Sequence, residues 1–369
     1  MEELTVIDWE LDDSRVSSSD LILSCKKRAD NGDTEAQRIL AHAYYNGIAV
    51  EKDNHQALKW LKRAAEGGDE RALASLGVQY QKGEILEKDM EKGFHLIRKA
   101  SSSGYIQIMV QLALCYELGL GTPKDLRKAM VIFEEAEKNG NPIARFRLAL
   151  IYAQGKEYIA KDLLKAFSYA FSSSKTGYPP AIDMVGIFYM RGDVVVKDPK
   201  KGIKYFELAM RHGYIPSKVR YATELIKGKN TKQDVNKGLD MLSEMADEGI
   251  VPAIYCLGVT YYSGKYVSPD KSKAFDCFKK SADKDHPKAC VSLGMQYIKG
   301  EGVVRDYTEA FRYFKKAANL NYSYGFYYMG KMYMDKRLSI FNKEKAIACF
   351  RSASDLGNKA ATDLINKGI

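Results

Sequence analysis

Apolar residues recur along this chain in short blocks at helical spacing, and the blocks come in pairs. In the stretch PKACVSLGMQYIKGEGVVRDYTEAFRYFKKAANLN, Ala289, Leu293, Gly294 and Tyr297 form one stripe and Ala310, Tyr313, Phe314 and Ala317 a second. Steps of three and four residues place each stripe on one side of a helix. Residues 299–306 between them are rich in glycine and charge, which reads as a turn. The pattern predicts a first helix (helix A), a loop, a second helix (helix B) and a short link.

The same unit returns along the chain. An acidic or amide residue precedes each helix B: Asp53, Asp89, Asp125, Asp162, Asp198, Asp234, Asp270, Asp306 and Asn342, 36 residues apart except for one gap of 37. The closing position keeps step, as Gly68, Gly104, Gly140, Gly177, Gly213, Gly249, Asp285, Asn321 and Gly357. One residue inserted near 156–161 accounts for the longer gap. Such a period predicts an all-α solenoid of about nine stacked hairpins.

Each recurring residue has a physical task. Gly or Ala stands mid-helix A (Ala41, Gly77, Ala113, Ala149, Gly186, Ala222, Gly258, Gly294, Gly330), where a larger side chain would hold helix B away. A further glycine, such as Gly47 or Gly300, can end helix A with positive φ. The Asp series is placed to cap helix B, accepting its orphan amides. Tyr44, Tyr80, Tyr116, Tyr152, Tyr189, Tyr261, Tyr297 and Tyr333 share one position, with Leu225 the exception. There a ring can pack between helices while its hydroxyl reaches a loop.

The pattern A-x-x-x-L-G-x-x-Y-x-x-G-x-x-V-x-x-D-x-x-K-A-x-x-x-F-x-x-A-A-x-x-G resembles the Sel1-like repeat family, relatives of tetratricopeptide repeats. The match is close in Leu76-Gly77…Tyr80…Gly83…Asp89 and in Leu293-Gly294…Tyr297…Gly300…Asp306…Ala310…Phe314…Ala317-Ala318. Repeats six and nine depart most, with Leu225 for the tyrosine and Asp335-Lys336 where glycine is expected. The resemblance implies a right-handed α-solenoid of Sel1-like helix-turn-helix repeats and a role as adaptor or scaffold. Some members protect a bacterium from a secreted toxin, so an immunity or inhibitor protein facing one cognate toxin or enzyme is the second reading. Certain secreted relatives carry a disulfide in each repeat, a pairing this sequence lacks.

Residues 33–357 hold the nine repeats. Residues 17–32 read as a lone B-type capping helix and 358–369 as a lone A-type cap, since solenoid ends would otherwise expose apolar surface. Residues 1–16 mix Leu4, Val6, Ile7, Trp9 and Leu11 with acids. They read either as a frayed or locally docked tail or as a tethered, autoinhibitory ligand.

Composition narrows the function. Apolar content of 46% in 369 residues supplies a large core. No apolar run reaches the roughly 20 residues of a membrane span, and the acidic start is unlike a secretory signal. Six cysteines with no C-x-x-C spacing fit a reducing compartment, so a cytoplasmic location is expected. The net charge of +10 is spread along the chain beside acids. That suits a solvated outer face better than a nucleic-acid stripe. No H-E-x-x-H, Walker loop or companion ligands for Cys277 and Cys290 occur, so neither a catalytic site, a cofactor nor a metal is expected.

By analogy with tetratricopeptide repeats, helix A lines a concave wall where another protein's helix or peptide would bind. Starting from Glu35, Arg38 and His42, this face becomes apolar and aromatic from the third repeat onward. The residues placed there are Tyr45, Leu114, Phe146, Ile187, Met190, Tyr255, Tyr262, Met295, Tyr324 and Tyr327. Exposed apolar surface of that extent marks a binding site.

Overall fold

The computed structural model describes residues 19–156 and 158–368. The reading of residues 1–16 as a tail or tethered ligand lies outside them. Two compact units are defined. One runs to Phe188 and includes Gly192–Val196; the other comprises Tyr189–Arg191 and continues from Lys197. In the first unit the helices are α1 (Ser19–Asp30), α2 (Thr34–Asn46), α3 (Asn54–Glu66), α4 (Glu70–Lys82), α5 (Met90–Ala100), α6 (Ile106–Leu118), α7 (Leu126–Lys138), α8 (Pro142–Gln154) and α9 (Leu163–Ser174). Helix α10 (Pro179–Arg191) carries the division in its last turn. The second unit continues with α11 (Pro199–Arg211), α12 (Ile215–Lys227), α13 (Val235–Asp247), α14 (Val251–Ser263), α15 (Lys271–Asp283), α16 (Pro287–Lys299), α17 (Tyr307–Asn319), α18 (Ser323–Met334), α19 (Lys343–Asp355) and α20 (Lys359–Asn366). From α1 to α9, and again from α11 to α20, each helix packs on the next in chain order. This is an α-solenoid of helical hairpins. Apart from an isolated bridge between Lys156 and Ile159 in the loop that carries the extra residue, the described residues form no β structure.

The caps follow the sequence closely. The carboxylate or amide of every member of the series from Asp53 to Asn342 accepts an amide in the first turn of its helix B. The same residue's own amide donates back to helix A: Asp89 to the carbonyl of Tyr80, Asp306 to that of Tyr297, Asp234 to that of Leu225. Repeat six therefore keeps its loop without the tyrosine. The rings gain a second task as well. The lysine three residues past the cap lies over the tyrosine at 4.3 Å for Lys92 on Tyr80, 4.2 Å for Lys201 on Tyr189 and 5.5 Å for Lys273 on Tyr261.

Small residues stand where backbones or rings touch. A methyl group built on Gly77 would lie 2.7 Å from the carbonyl oxygen of Gly93, and one on Gly294 2.5 Å from the ring of Phe314. Repeat nine, which lacks the glycine after helix A, ends α18 differently. Asp335 keeps an extended backbone and accepts the amide of Arg337 at 3.0 Å, an Asx turn in place of a left-handed residue. At the link after α17, Asn321 holds φ at 56°, a region that costs most side chains energy and glycine none. Asparagine bears that region with little cost, whereas Ala49 holds it at 56° with none of asparagine's tolerance. Ala49→Gly should therefore raise the unfolding free energy by about 0.5–1 kcal/mol after glycine's extra chain entropy is subtracted, read from urea denaturation; an unchanged or lower midpoint would contradict it.

Candidate functional site

The helix-A residues read from the sequence divide into three groups. Leu114 is 1% exposed and belongs to the core, which corrects its expected place on an open wall. It packs with Val110, Phe133, Leu148 and Ile151 across α6, α7 and α8, in the seam between consecutive repeats. Val219 and Ile226 are buried in the same way against Leu242, Met245 and Leu257. Arg38, Glu117 and Asp183 are buried too. In these repeats the face fills the gap to the next helix A instead of meeting solvent. Phe146 is half-buried with its ring edge-on to Tyr178 at 5.5 Å, and Ile187 and Met190 are half-buried on α10.

A second set of these residues braces one repeat to the next. Tyr45 donates to Glu84 and Tyr262 to Glu301, each at 2.5 Å and each 39 residues on. The same offset joins Gln81 to the carbonyl of Leu120 and Lys156 to Glu117. The residue in the last turn of helix A therefore reaches the loop just beyond helix A of the following repeat. Glu117 also takes two N–H bonds from Arg147, at 2.9 and 2.7 Å, which makes a buried charge triad. Tyr262 is further engaged by Lys271, whose ammonium lies 3.6 Å from the ring centroid, and by Lys299, which donates to its hydroxyl. Its phenol is raised by burial and by Glu301, against the pull of Lys299.

The remaining residues converge in the second unit, on α14, α16 and α18. Tyr324 is 46% exposed and Val259 41%, beside half-buried Tyr255, Met295 and Tyr327. Tyr324 meets Tyr327 at 6.4 Å and Tyr328 at 6.5 Å; Tyr327 stands edge-on to Tyr328 at 5.2 Å. Tyr255 packs 4.6 Å from the His286 ring and 5.7 Å from Phe278. Burial raises the Tyr255 phenol, with a hydrogen bond to Ser292 drawing it back. Tyr322 is raised by burial and by Tyr255, Tyr324 and Tyr328, so the link before α18 belongs to the same cluster. His286 is lowered by burial and by Lys288, and its Nδ1 accepts the amide of Ala289 at the start of α16.

Tyr322, Tyr328 and His286 were missed by the sequence reading. Their signal was the capping position before helix A, shared by His286 and Tyr322, and the position two before mid-helix Gly330, held by Tyr328. Elsewhere the chemistry is quiet. Cys115 is buried and its thiol is pushed up to about 11 by desolvation, leaving it an apolar filler at neutral pH. Among the described residues no group of three or more His, Cys, Asp or Glu is placed to hold a metal, and no helix is long and apolar enough to cross a membrane.

Comparison with known proteins agrees with the geometry. The family model described as Sel1 repeat matches nine segments: 34–69, 71–105, 109–141, 142–175, 179–214, 217–250, 251–286, 287–322 and 321–358. The chain belongs to the Sel1 repeat family, whose members generally mediate protein–protein interaction and are typically non-catalytic. Among solved structures it is similar to c5321, a protective antigen of uropathogenic Escherichia coli strains displaying an SLR fold. That pair shares 25% identity at a TM-score of 0.52, over 92% of this chain and 73% of that one. It is also similar to a Sel1 repeat protein from Oxalobacter formigenes, at 26% identity and a TM-score of 0.49 over 85% and 90%. A third is the immunity protein Pa5087 from Pseudomonas aeruginosa, at 18% and 0.43 over 58% and 82%. No curated protein matches the sequence.

Proposed function

We propose that this protein is a non-catalytic adaptor or scaffold that holds a segment of a partner protein on the helix-A face of α14, α16 and α18. The observation that carries this reading is the exposure of Tyr324, within a cluster of tyrosine rings, and of Val259 at the matching face of α14. Elsewhere, helix-A residues such as Leu114 and Val219 are consumed by the core; here the same face is left open. Large exposed apolar groups on a rigid helix are the usual anchors of an interface. Tyrosine suits the task, because its ring offers wide contact at little entropic cost. The disposition of the six cysteines, scattered one by one along the helices with no paired spacing, supports a reducing compartment such as the cytosol.

The test is affinity capture with intact protein beside a Val259→Asp, Tyr324→Ala variant. Both residues are solvent-exposed, so the variant should melt within about 0.5 kcal/mol of the parent. The parent should retain a partner that the variant recovers roughly tenfold less well. Equal recovery by both baits would contradict the proposed face.

A further inference from the structure

The charges around the aromatic face are unbalanced. Its carboxylates are already committed within the unit: Glu301 accepts the Tyr262 hydroxyl and lies 3.8 Å from the ammonium of Lys299. Asp335 accepts two guanidinium N–H groups of Arg337, at 2.9 and 2.7 Å, which holds its carboxyl down at about 2. The lysines are in a different state. Lys288 and Lys331 are exposed, and neither forms an ion pair with a described carboxylate. Lys288 occupies on α16 the repeat position that Tyr324 holds on α18, and Lys331 occupies on α18 the position that Met295 holds on α16. The two cations therefore alternate with the apolar anchors. Lys331 also lies over the Tyr327 ring at 5.8 Å.

We infer that this face selects acidic segments: stretches of a partner protein in which Asp or Glu alternate with large apolar residues. The inference rests on the docking role proposed above and adds the chemistry of the occupant. Apolar side chains would cover Tyr324, Val259 and Met295, and carboxylates would meet Lys288 and Lys331, which have no internal carboxylate to give up. Complementary charge of this kind sets partner choice and encounter rate more than bulk affinity. A single-stranded nucleic acid would also welcome lysines and rings. It needs open aromatic platforms for base stacking, however, and here Tyr327 and Tyr328 stand edge-on to each other with an interplanar angle of 74°.

The experiment is selection from an unbiased random 16-residue peptide display library on three immobilised baits: the parent, Lys288→Glu with Lys331→Glu, and Val259→Asp with Tyr324→Ala. The parent should enrich peptides rich in Asp and Glu together with Leu, Ile or Phe. The lysine variant should lose that acidic bias and bind the best parent-selected peptide about tenfold more weakly, and the tyrosine–valine variant should enrich nothing. Enrichment by the parent without acidic bias, lost in the tyrosine–valine variant, would overturn the acidic selectivity and leave the docking face standing. Acidic peptides retained by the tyrosine–valine variant would overturn the docking face and this inference with it. So would a parent that enriches no peptide, or one that binds a fluorescent twenty-nucleotide oligo-dT more tightly than its best peptide at 150 mM salt.

Discussion

Phe314→Ala will lower the stability of the second unit by about 3–5 kcal/mol. The ring is fully buried, lies against the bare backbone of Gly294, and stacks on Tyr328 at 5.2 Å with planes 20° apart. Its removal takes away the transfer energy of a phenylalanine and opens a gap that Gly294 cannot fill, having no side chain to move. Repeat arrays lose cooperativity when one unit weakens, so the loss should be local. Amide exchange of α16, α17 and α18 should accelerate far more than that of α2 or α4. Uniform acceleration through all helices, or a midpoint shift worth less than about 1 kcal/mol, would contradict this account. Because Tyr328 loses the surface it rests on, the aromatic face should weaken in partner capture as well.

Glu117→Ala should cost about 3–5 kcal/mol in the first unit. The Glu117 side chain is 1% exposed and that of Arg147 6%, so the change takes from a buried guanidinium the carboxylate that receives two of its N–H groups. Lys156, 33% exposed, loses the partner that ties its loop to α6. Glu117→Gln keeps the shape and one acceptor and should cost less than the alanine. A surface pair makes the control: Arg312 and Glu309 meet at 2.6 Å, but with side chains 58% and 33% exposed, so Glu309→Ala should cost under about 1 kcal/mol. Equal losses from Glu117→Ala and Glu309→Ala in urea titrations would mean the triad contributes nothing through its burial.

The fold was legible because its local rules repeat. A cap, a left-handed glycine and a small crossing residue each recur in register, and a repeated local preference is hard to misread. The open face was legible only in part. Leu114 and Tyr324 are both large residues on a helix A, and spacing along one helix assigns them the same kind of side. Whether that side is covered depends on the neighbouring repeat, where Leu148 and Ile151 pack with Leu114. Nothing in the period encodes that difference. The braces were hidden for a related reason: Tyr45 and Tyr262 look like free aromatics until Glu84 and Glu301, 39 residues on, are brought within hydrogen-bond reach.

Those braces also bear on how look-alike hairpins find their proper neighbours. The joints differ in chemistry: tyrosine to glutamate at Tyr45 and Tyr262, glutamine to a carbonyl at Gln81, glutamate to lysine at Glu117. A shuffled chain that put the third hairpin ahead of the eighth would set Glu117 against Glu301, two like charges at a site built for attraction. Where successive joints differ in this way, a wrong neighbour meets mismatched chemistry, which works against the mispairing to which tandem arrays are prone.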